Sequence, residues 1–203
     1  MFRESTTTAR LVLTLVTEAD ADAMTDVLAA PELYTFTGGE PPTTADLRAR
    51  YARLAVGHSP DGSQEWVNWI ARRAQDGVAV GTVQATIHAP AADGTRRADV
   101  AWVVGASWQG RGYAAEAASA LVAWLRERGV TEIGAHIHPG HTASARVAER
   151  VGLAPTGELD DEGEQIWRAQ GGPQQESQDE ELRQELRQEE LQQQDSERTE
   201  MHR

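Results

Sequence analysis

The chain has 203 residues, 39% of them hydrophobic, and 32 acidic residues outnumber 19 basic ones for a formal net charge of −13. Every cation is arginine and cysteine is absent, which excludes P-loop and Schiff-base lysines, thiol nucleophiles, disulfides and thiolate metal sites. So acidic a chain lacks the basic stripe that nucleic acid requires, and no apolar run suits a membrane span or a leader segment, so a cytoplasmic protein is expected.

Leu11-Val12-Leu13-Thr14-Leu15-Val16 reads as a first strand. Thr17 stops it and, with Glu18 and Asp20 following, opens a helix whose acids sit at the positive end of the dipole. That helix is expected to run to about Ala30, before Pro31. Pro41-Pro42-Thr43-Thr44 precedes a second helix reaching about Val56, and residues 58–63, with Pro60 and Asp61-Gly62, form a loop. Residues 66–71 make a strand, Asp76-Gly77 a turn into residues 78–87, and Asp93-Gly94 a second turn into residues 99–104. Those three strands form an antiparallel meander.

From Tyr113 to Arg128 the residues Ala114, Ala117, Ala118, Leu121, Trp124 and Leu125 recur at helical spacing, and Gly129 ends the helix. A strand over 132–138, a helix over 142–151 and a hairpin with strands near 153–159 and 164–168 follow. The fold class is mixed α/β. Past Arg168 the composition changes: residues 169–203 are mostly Gln, Glu and Arg, with 10 acids, 4 arginines and no aromatic side chain. Leu182 and Leu186 share a helix face there, but Leu191 lies half a turn away, so no coiled-coil seam persists. The domain is expected over 1–168, with 169–203 a disordered or fraying helical tail.

Between the meander and the long helix lies Trp108-Gln109-Gly110-Arg111-Gly112-Tyr113-Ala114. Two glycines allow a tight turn and close backbone approach to a ligand. The helix behind them offers unpaired N–H groups and a positive dipole end, together an anion cradle suited to a pyrophosphate. Gln109-x-x-Gly112-x-Ala114 fits the Q/R-x-x-G-x-G/A signature of the GCN5-related N-acetyltransferase (GNAT) family, and the element order resembles that fold through residues 9–168. The chain most resembles the branch of ribosomal-protein alanine N-acetyltransferases and their small-molecule relatives. Three further segments carry this: Thr8-Ala9-Arg10-Leu11-Val12-Leu13, Ala115-Glu116-Ala117, and His138-Pro139-Gly140-His141-Thr142-Ala143-Ser144 leading to Arg150-Val151-Gly152-Leu153.

The resemblance implies a mostly antiparallel twisted sheet flanked by helices, with central strands splayed around acetyl-CoA. Gln109, Gly110, Arg111, Gly112, Tyr113 and Ala114 fall where the family holds the pyrophosphate. Trp102 and Val104 fall where strand backbone pairs with pantetheine, and an amide of that strand polarises the thioester carbonyl. The amine attacks the thioester directly, without a side-chain nucleophile. Asp99 occupies a position where relatives often carry a carboxylate, a candidate base for an ammonium of ordinary pKa about 10; the alternative is a solvated strand-end acid. Glu116 reads equally well as a first-turn dipole partner. Ser144 matches a motif serine near the CoA sulfur that could protonate the leaving thiolate; the alternative is a helix-entry serine bonded to backbone. His141 replaces the family's usual asparagine among the cofactor contacts.

His136, His138 and His141 form an H-x-H-x-x-H pattern that strand alternation could turn toward zinc. The segment is already accounted for by strand and motif, so no metal is expected. Trp66, Trp69 and Trp102 are candidates for an acceptor pocket, whereas Trp124 and Trp167 are assigned to the core. The expected function is acetyl transfer from acetyl-CoA to a primary amine, either a protein N-terminus or a small molecule. The alternative is a non-catalytic acyl-CoA-binding module whose acidic tail recruits a partner. Neither nucleic acid nor membrane is an expected partner, and a homodimer is compatible with the resemblance because relatives often pair. The Arg-only, Ala-rich composition points to a GC-rich bacterial genome.

Overall fold

The computed structural model describes residues 4–169. A short strand β1 (Thr6–Thr7) folds back on β2 (Leu11–Leu15). Thr17 then sets the start of the helical region, its amide and hydroxyl both donating to Asp20 Oδ2 at 2.7 and 2.8 Å, and a 3-10 turn leads into α1 (Ala21–Val27). This helix stops short of the expected Ala30, which has extended backbone ahead of Pro31, the conformation a residue before proline prefers. A capping box of Thr43 and Asp46 opens α2 (Thr44–Leu54), the Asp46 amide donating to Thr43 Oγ1 and the Thr43 amide to Asp46 Oδ2.

The antiparallel meander consists of β3 (Gln64–Arg73), β4 (Ala79–His88) and β5 (Arg97–Val104), with β2 paired on the outer side of β3. Helix α3 (Tyr113–Glu127) crosses over to β6 (Glu132–Ile137), which lies parallel to β5. Only the rows Arg97↔Glu132, Ala98↔Ile133 and Asp99↔Gly134 pair, and beyond Asp99 the two strands part. Helix α4 (Thr142–Arg150) leads to β7 (Leu153–Leu159) and β8 (Gln165–Ala169), and β8 pairs antiparallel with the other edge of β6. The sheet order is β1-β2-β3-β4-β5-β6-β8-β7, antiparallel at every junction except β5–β6. The mixed α/β sheet with parted central strands therefore agrees with the sequence expectation.

Strand alternation sends alternate side chains to the two faces. Val83, Ala85 and Ile87 of β4, Ala98 and Val100 of β5 and Ile133, Ala135 and Ile137 of β6 pack with Leu121, Trp124 and Leu125 of α3. The opposite face is covered near β3 by α1 and α2, where Met24, Leu47 and Tyr51 are buried with Ile70 and Ala79. Farther along, that second face presents Thr86 and His88 of β4, Asp99 of β5 and His136 of β6, all at least partly accessible.

One of the three tryptophans considered for a pocket belongs to the core instead, and a second, half-buried, rests against it. Trp69 is fully buried, lies edge-on to Trp124 at 5.2 Å, and donates its indole N–H to the Glu4 carbonyl at 2.9 Å. Trp102 packs against the same cluster. Trp66 alone shares a face with Asp99, through the register Trp66↔Thr86↔Asp99. Except for Ala169, which ends β8, the expected tail lies outside the described residues. Among those residues no helix is long and apolar enough to cross a membrane.

Candidate active site

The sharpest local feature is the entrance to α3. Gly110 and Gly112 have φ of +73° and +81°, left-handed backbone that only glycine adopts without strain, and Gly112 is the residue that caps the helix. The turn leaves the amides of residues 110–114 without a backbone acceptor among the described residues, as the first turn of a helix must. Trp108 supports it, with the guanidinium groups of Arg73 and Arg111 at 4.5 and 5.1 Å from its ring centre. The Gln109 side chain turns inward and donates to the Val104 carbonyl at 3.1 Å, tying the loop to the end of β5. Tyr113 packs against the core beneath Arg10, whose guanidinium carbon lies 5.0 Å from the ring centre, and Ala114 is half-buried.

One turn into α3, Glu116 reaches back to the chain's beginning. Its carboxylate accepts from the Thr8 hydroxyl at 2.6 Å, the Arg10 amide at 2.8 Å and the Arg10 Nε at 2.6 Å. Burial pulls its pKa up, but the bonds from Thr8 and Arg10 and the guanidinium charge outweigh that pull and hold it below the ordinary glutamate value. Arg10 Nη1 also donates to the Arg111 carbonyl at 3.0 Å. The segments around Arg10 and around Glu116, separate in the sequence, are thus two halves of one contact behind the loop.

A groove of about 740 Å³ opens over this entrance, lined by Arg10, Gly110, Arg111, Gly112, Ala115, Glu116, Ser119 and Arg150. Three guanidinium groups against one carboxylate make it locally positive on a chain of net charge −13. Free amides, a helix dipole and arginines converge here on what chemistry would recognise as a polyanion.

The second feature lies where β5 and β6 part. Asp99 Oδ2 accepts from His88 Nε2 at 2.7 Å, and Oδ1 accepts from Arg168 Nη1 at 3.3 Å and lies 3.9 Å from His136 Nε2. Arg168 reaches Asp99 by crossing over Gly134, where a Cβ would lie 1.9 Å from its Nη1. Asp99 therefore anchors a cluster rather than standing as a solvated strand-end acid. Sequence reading found Asp99 but missed His88, Arg168, Gly134 and Asp160. The row Thr86–Asp99–Gly134–Arg168 exists only once the strands are in register.

Trp102 and Val104 lie on the part of β5 that has no pairing with β6. Ser144 sits in the first turn of α4, half-buried, and its hydroxyl has no hydrogen-bond partner among the described residues. His141 precedes α4 without capping it through its side chain. Its ring stacks on Phe36 at 4.5 Å and 21°, and Phe36 also lies 5.2 Å from His138. Burial and then the neighbouring His138 push the His141 pKa below the ordinary histidine value, so the ring is neutral at pH 7. The His141 imidazole thus serves as a stacking surface joining the α1–α2 connection to the turn before α4.

The family model for the GNAT acetyltransferase domain matches residues 10–154. Among solved structures, an acetyltransferase of the GNAT family from Bacillus anthracis is 18% identical with a TM-score of 0.65, over 81% of this chain and 97% of that one. A protein from Vibrio cholerae described as a ribosomal-protein-serine acetyltransferase is 18% identical with a TM-score of 0.61, over 83% and 98% of the two chains. The aminoglycoside acetyltransferase AAC(6')-Ib, solved with coenzyme A, is 21% identical with a TM-score of 0.62, over 79% and 94%. At such identities the likeness speaks for the fold. No curated protein matches the sequence.

Proposed function

The chain belongs to the GNAT acetyltransferase family, and from that premise we propose that it transfers the acetyl group of acetyl-CoA to a primary amine, with both substrates bound together. The observation that carries this reading is the α3 entrance: left-handed Gly110 and Gly112, free amides from 110 to 114, and a groove flanked by Arg10, Arg111 and Arg150. The residues present fit a nucleotide pyrophosphate. Gly110, Arg111, Gly112, Tyr113 and Ala114 hold it by their amides, and Gln109 fixes the loop to β5. Trp102 and the Val104 amide, without a partner on β6, offer strand backbone to the pantetheine arm, beside His141 and Ser144 at the head of α4.

Acetyl-CoA supplies an activated thioester carbonyl when bound. The chain's part is to bind, orient and move protons: an amide of β5 polarises the carbonyl, Asp99 places negative charge where the strands part, and the unpartnered Ser144 hydroxyl delivers a proton to the leaving sulfur. The acceptor is a small amine or a protein N-terminus. Support for both comes from relatives, since AAC(6')-Ib has been solved with paromomycin and acetyl-CoA and the Vibrio cholerae relative is named for a ribosomal protein.

The test is a thermal-shift titration of the full chain with acetyl-CoA, CoA and ATP, followed by release of free thiol with an alanine-initiated peptide, paromomycin and spermidine as acceptors. Ligand at about 100 times its Kd adds about 2.7 kcal/mol, a shift of roughly 5–10 °C for a domain this size. Ser144→Ala is expected to slow turnover by less than the roughly 10²-fold a positioned acid commonly supplies, because a thiolate leaves readily. A shift with both CoA species and turnover of one acceptor is expected. Binding without turnover of any acceptor would favour an acyl-CoA-binding module.

A further inference from the structure

The fold separates the three histidines of the H-x-H-x-x-H pattern into three environments. His138 Nδ1 accepts from the Gly140 amide at 3.0 Å and so shapes the turn after β6. His141 is stacked on Phe36. His136 differs from both, because its ring bridges a carboxylate on one side and the Asp99 cluster on the other. Its Nδ1 lies 2.6 Å from Asp160 Oδ2, and its Nε2 lies 3.9 Å from Asp99 Oδ1.

The tautomer of His136 follows from its partner. Asp160 Oδ1 accepts the Glu162 and Glu164 amides at 3.0 and 2.9 Å. The bond from His136 and then the Glu164 amide are the main causes holding the Asp160 carboxyl below its ordinary range. An ionised carboxylate can only accept, so Nδ1 carries the hydrogen and the lone pair of the neutral ring sits on Nε2. That atom has no hydrogen-bond partner among the described residues. His136 is two residues past Gly134, the last residue of β6 to pair with β5, so Nε2 lies at the mouth of the strand opening. Asp99 is less free to act alone: His88 engages its Oδ2 and Arg168 its Oδ1.

We propose that His136 Nε2 is the proton acceptor for the attacking amine, with Asp160 the positioning residue that fixes its tautomer and Asp99 the carboxylate that draws the ammonium in. This rests on the amine-acetylation reading above and assigns a base within it. An N–H bond of the ammonium breaks and its proton passes to His136 Nε2, directly or through one water. The freed nitrogen pair forms the bond to the acetyl carbon, and the carbon–sulfur bond breaks with its electron pair going to sulfur. The sulfur takes a proton from Ser144, and the second proton shed by the acylated nitrogen returns through water to the Ser144 oxygen. The imidazolium returns its proton to solvent, to which the ring is partly open. The groups facing His136 are Asp160 and Glu164 from the β7–β8 turn, Asp99 from β5 with His88 of β4 behind it, and Arg168 from β8.

The experiment compares kcat against pH for the full-length wild type, His136→Gln, Asp160→Asn and Asp99→Asn, at saturating acetyl-CoA and whichever of the three named acceptors is turned over fastest. CoA affinity and the thermal midpoint are measured alongside. Wild-type kcat is expected to rise with pH as the base loses its proton. His136→Gln should lose that limb and about 10²-fold or more in kcat at unchanged CoA affinity, and His136→Ala should regain turnover when free imidazole is added. Long-range proton–nitrogen spectra of the free protein should place the His136 hydrogen on Nδ1, and Asp160→Asn should disturb that placement while lowering kcat. Should His136→Gln fail to fold, the spectra and Asp160→Asn still decide the matter. A His136→Gln protein with the wild-type limb and kcat within threefold would overturn the assignment and leave the transferase reading intact. Absence of turnover in the wild type despite CoA binding would overturn both.

Discussion

Glu116 offers the clearest separation between a reacting carboxylate and one that holds the fold. In Glu116→Gln the side chain keeps its shape, but its amide group must face donors, either the Arg10 guanidinium or the Thr8 hydroxyl and Arg10 amide. Hydrogen bonds to a charged partner contribute about 1.5–3 kcal/mol each. The Arg10 side chain is 50% exposed, so water recovers part of the loss, and a net destabilisation of about 1–2 kcal/mol is expected. For a domain of this length that lowers the unfolding midpoint by roughly 2–8 °C. The sign with pH is fixed as well. Because the folded pKa is lowered, the contribution is complete above the ordinary glutamate value of about 4.3 and disappears as pH falls through the lowered folded value. The gap between wild type and variant, followed by tryptophan fluorescence on heating, should therefore be full at pH 7 and close below about pH 4. An unchanged midpoint at pH 7 together with a kcat loss beyond about 10² would make Glu116 a reacting group and refute the reasoning. A gap that stays constant down to acid pH would refute its electrostatic part.

Three further substitutions test other parts of the account. Gly112→Ala places an L side chain at φ +81°, costing about 1–2 kcal/mol, and should weaken CoA binding in an isothermal titration because it reshapes the loop amides. Trp69→Ala empties a fully buried site and should destabilise by about 3–5 kcal/mol in urea unfolding; a variant of normal stability but raised acceptor KM would restore Trp69 to the pocket wall. His141→Gln removes a histidine whose folded pKa is depressed. Since the unfolded chain takes that proton first, its stability contribution is present above about pH 6.5 and lost as pH falls through the lowered folded value. The midpoint of the variant should fall less steeply than that of the wild type as pH drops from about 6.5 to 5.

Long-period patterns and turn chemistry carried most of the legible fold. The spacing of Ala117, Ala118, Leu121, Trp124 and Leu125 corresponds to the buried stripe of α3, and Asp76-Gly77 and Asp93-Gly94 lie between the strands they were read to separate. Strand ends were less legible because partners set them. β3 extends to Gln64 and Arg73 through pairing with His88 and Leu11, although those end residues have no apolar signal of their own. Trp69, offered only as a pocket candidate, carried a clue to its core position, since its parity in the strand matches the buried Val67 and Ala71 rather than Trp66. The contacts Phe36–His141, Asp160–His136 and Arg168–Asp99 join elements far apart in the chain. A single sequence shows the residue types in such contacts but not their meeting.

The Asp99 cluster bears on how the strand opening is held. The backbone ladder between β5 and β6 ends at the row Asp99↔Gly134, and at that row side chains take over. His88 reaches Asp99 from β4, and Arg168 reaches it from β8 across Gly134, a position a Cβ would close. Side chains of β4, β5 and β8 are thereby stitched through one carboxylate across β6, while β5 beyond it has no partner on the β6 side. The contacts from His88 and Arg168 that brace Asp99 also set where its carboxylate stands relative to His136. Holding the vertex and presenting a carboxylate opposite an imidazole are therefore one arrangement. A substitution at Gly134, which touches no substrate, would disturb both through the displaced guanidinium.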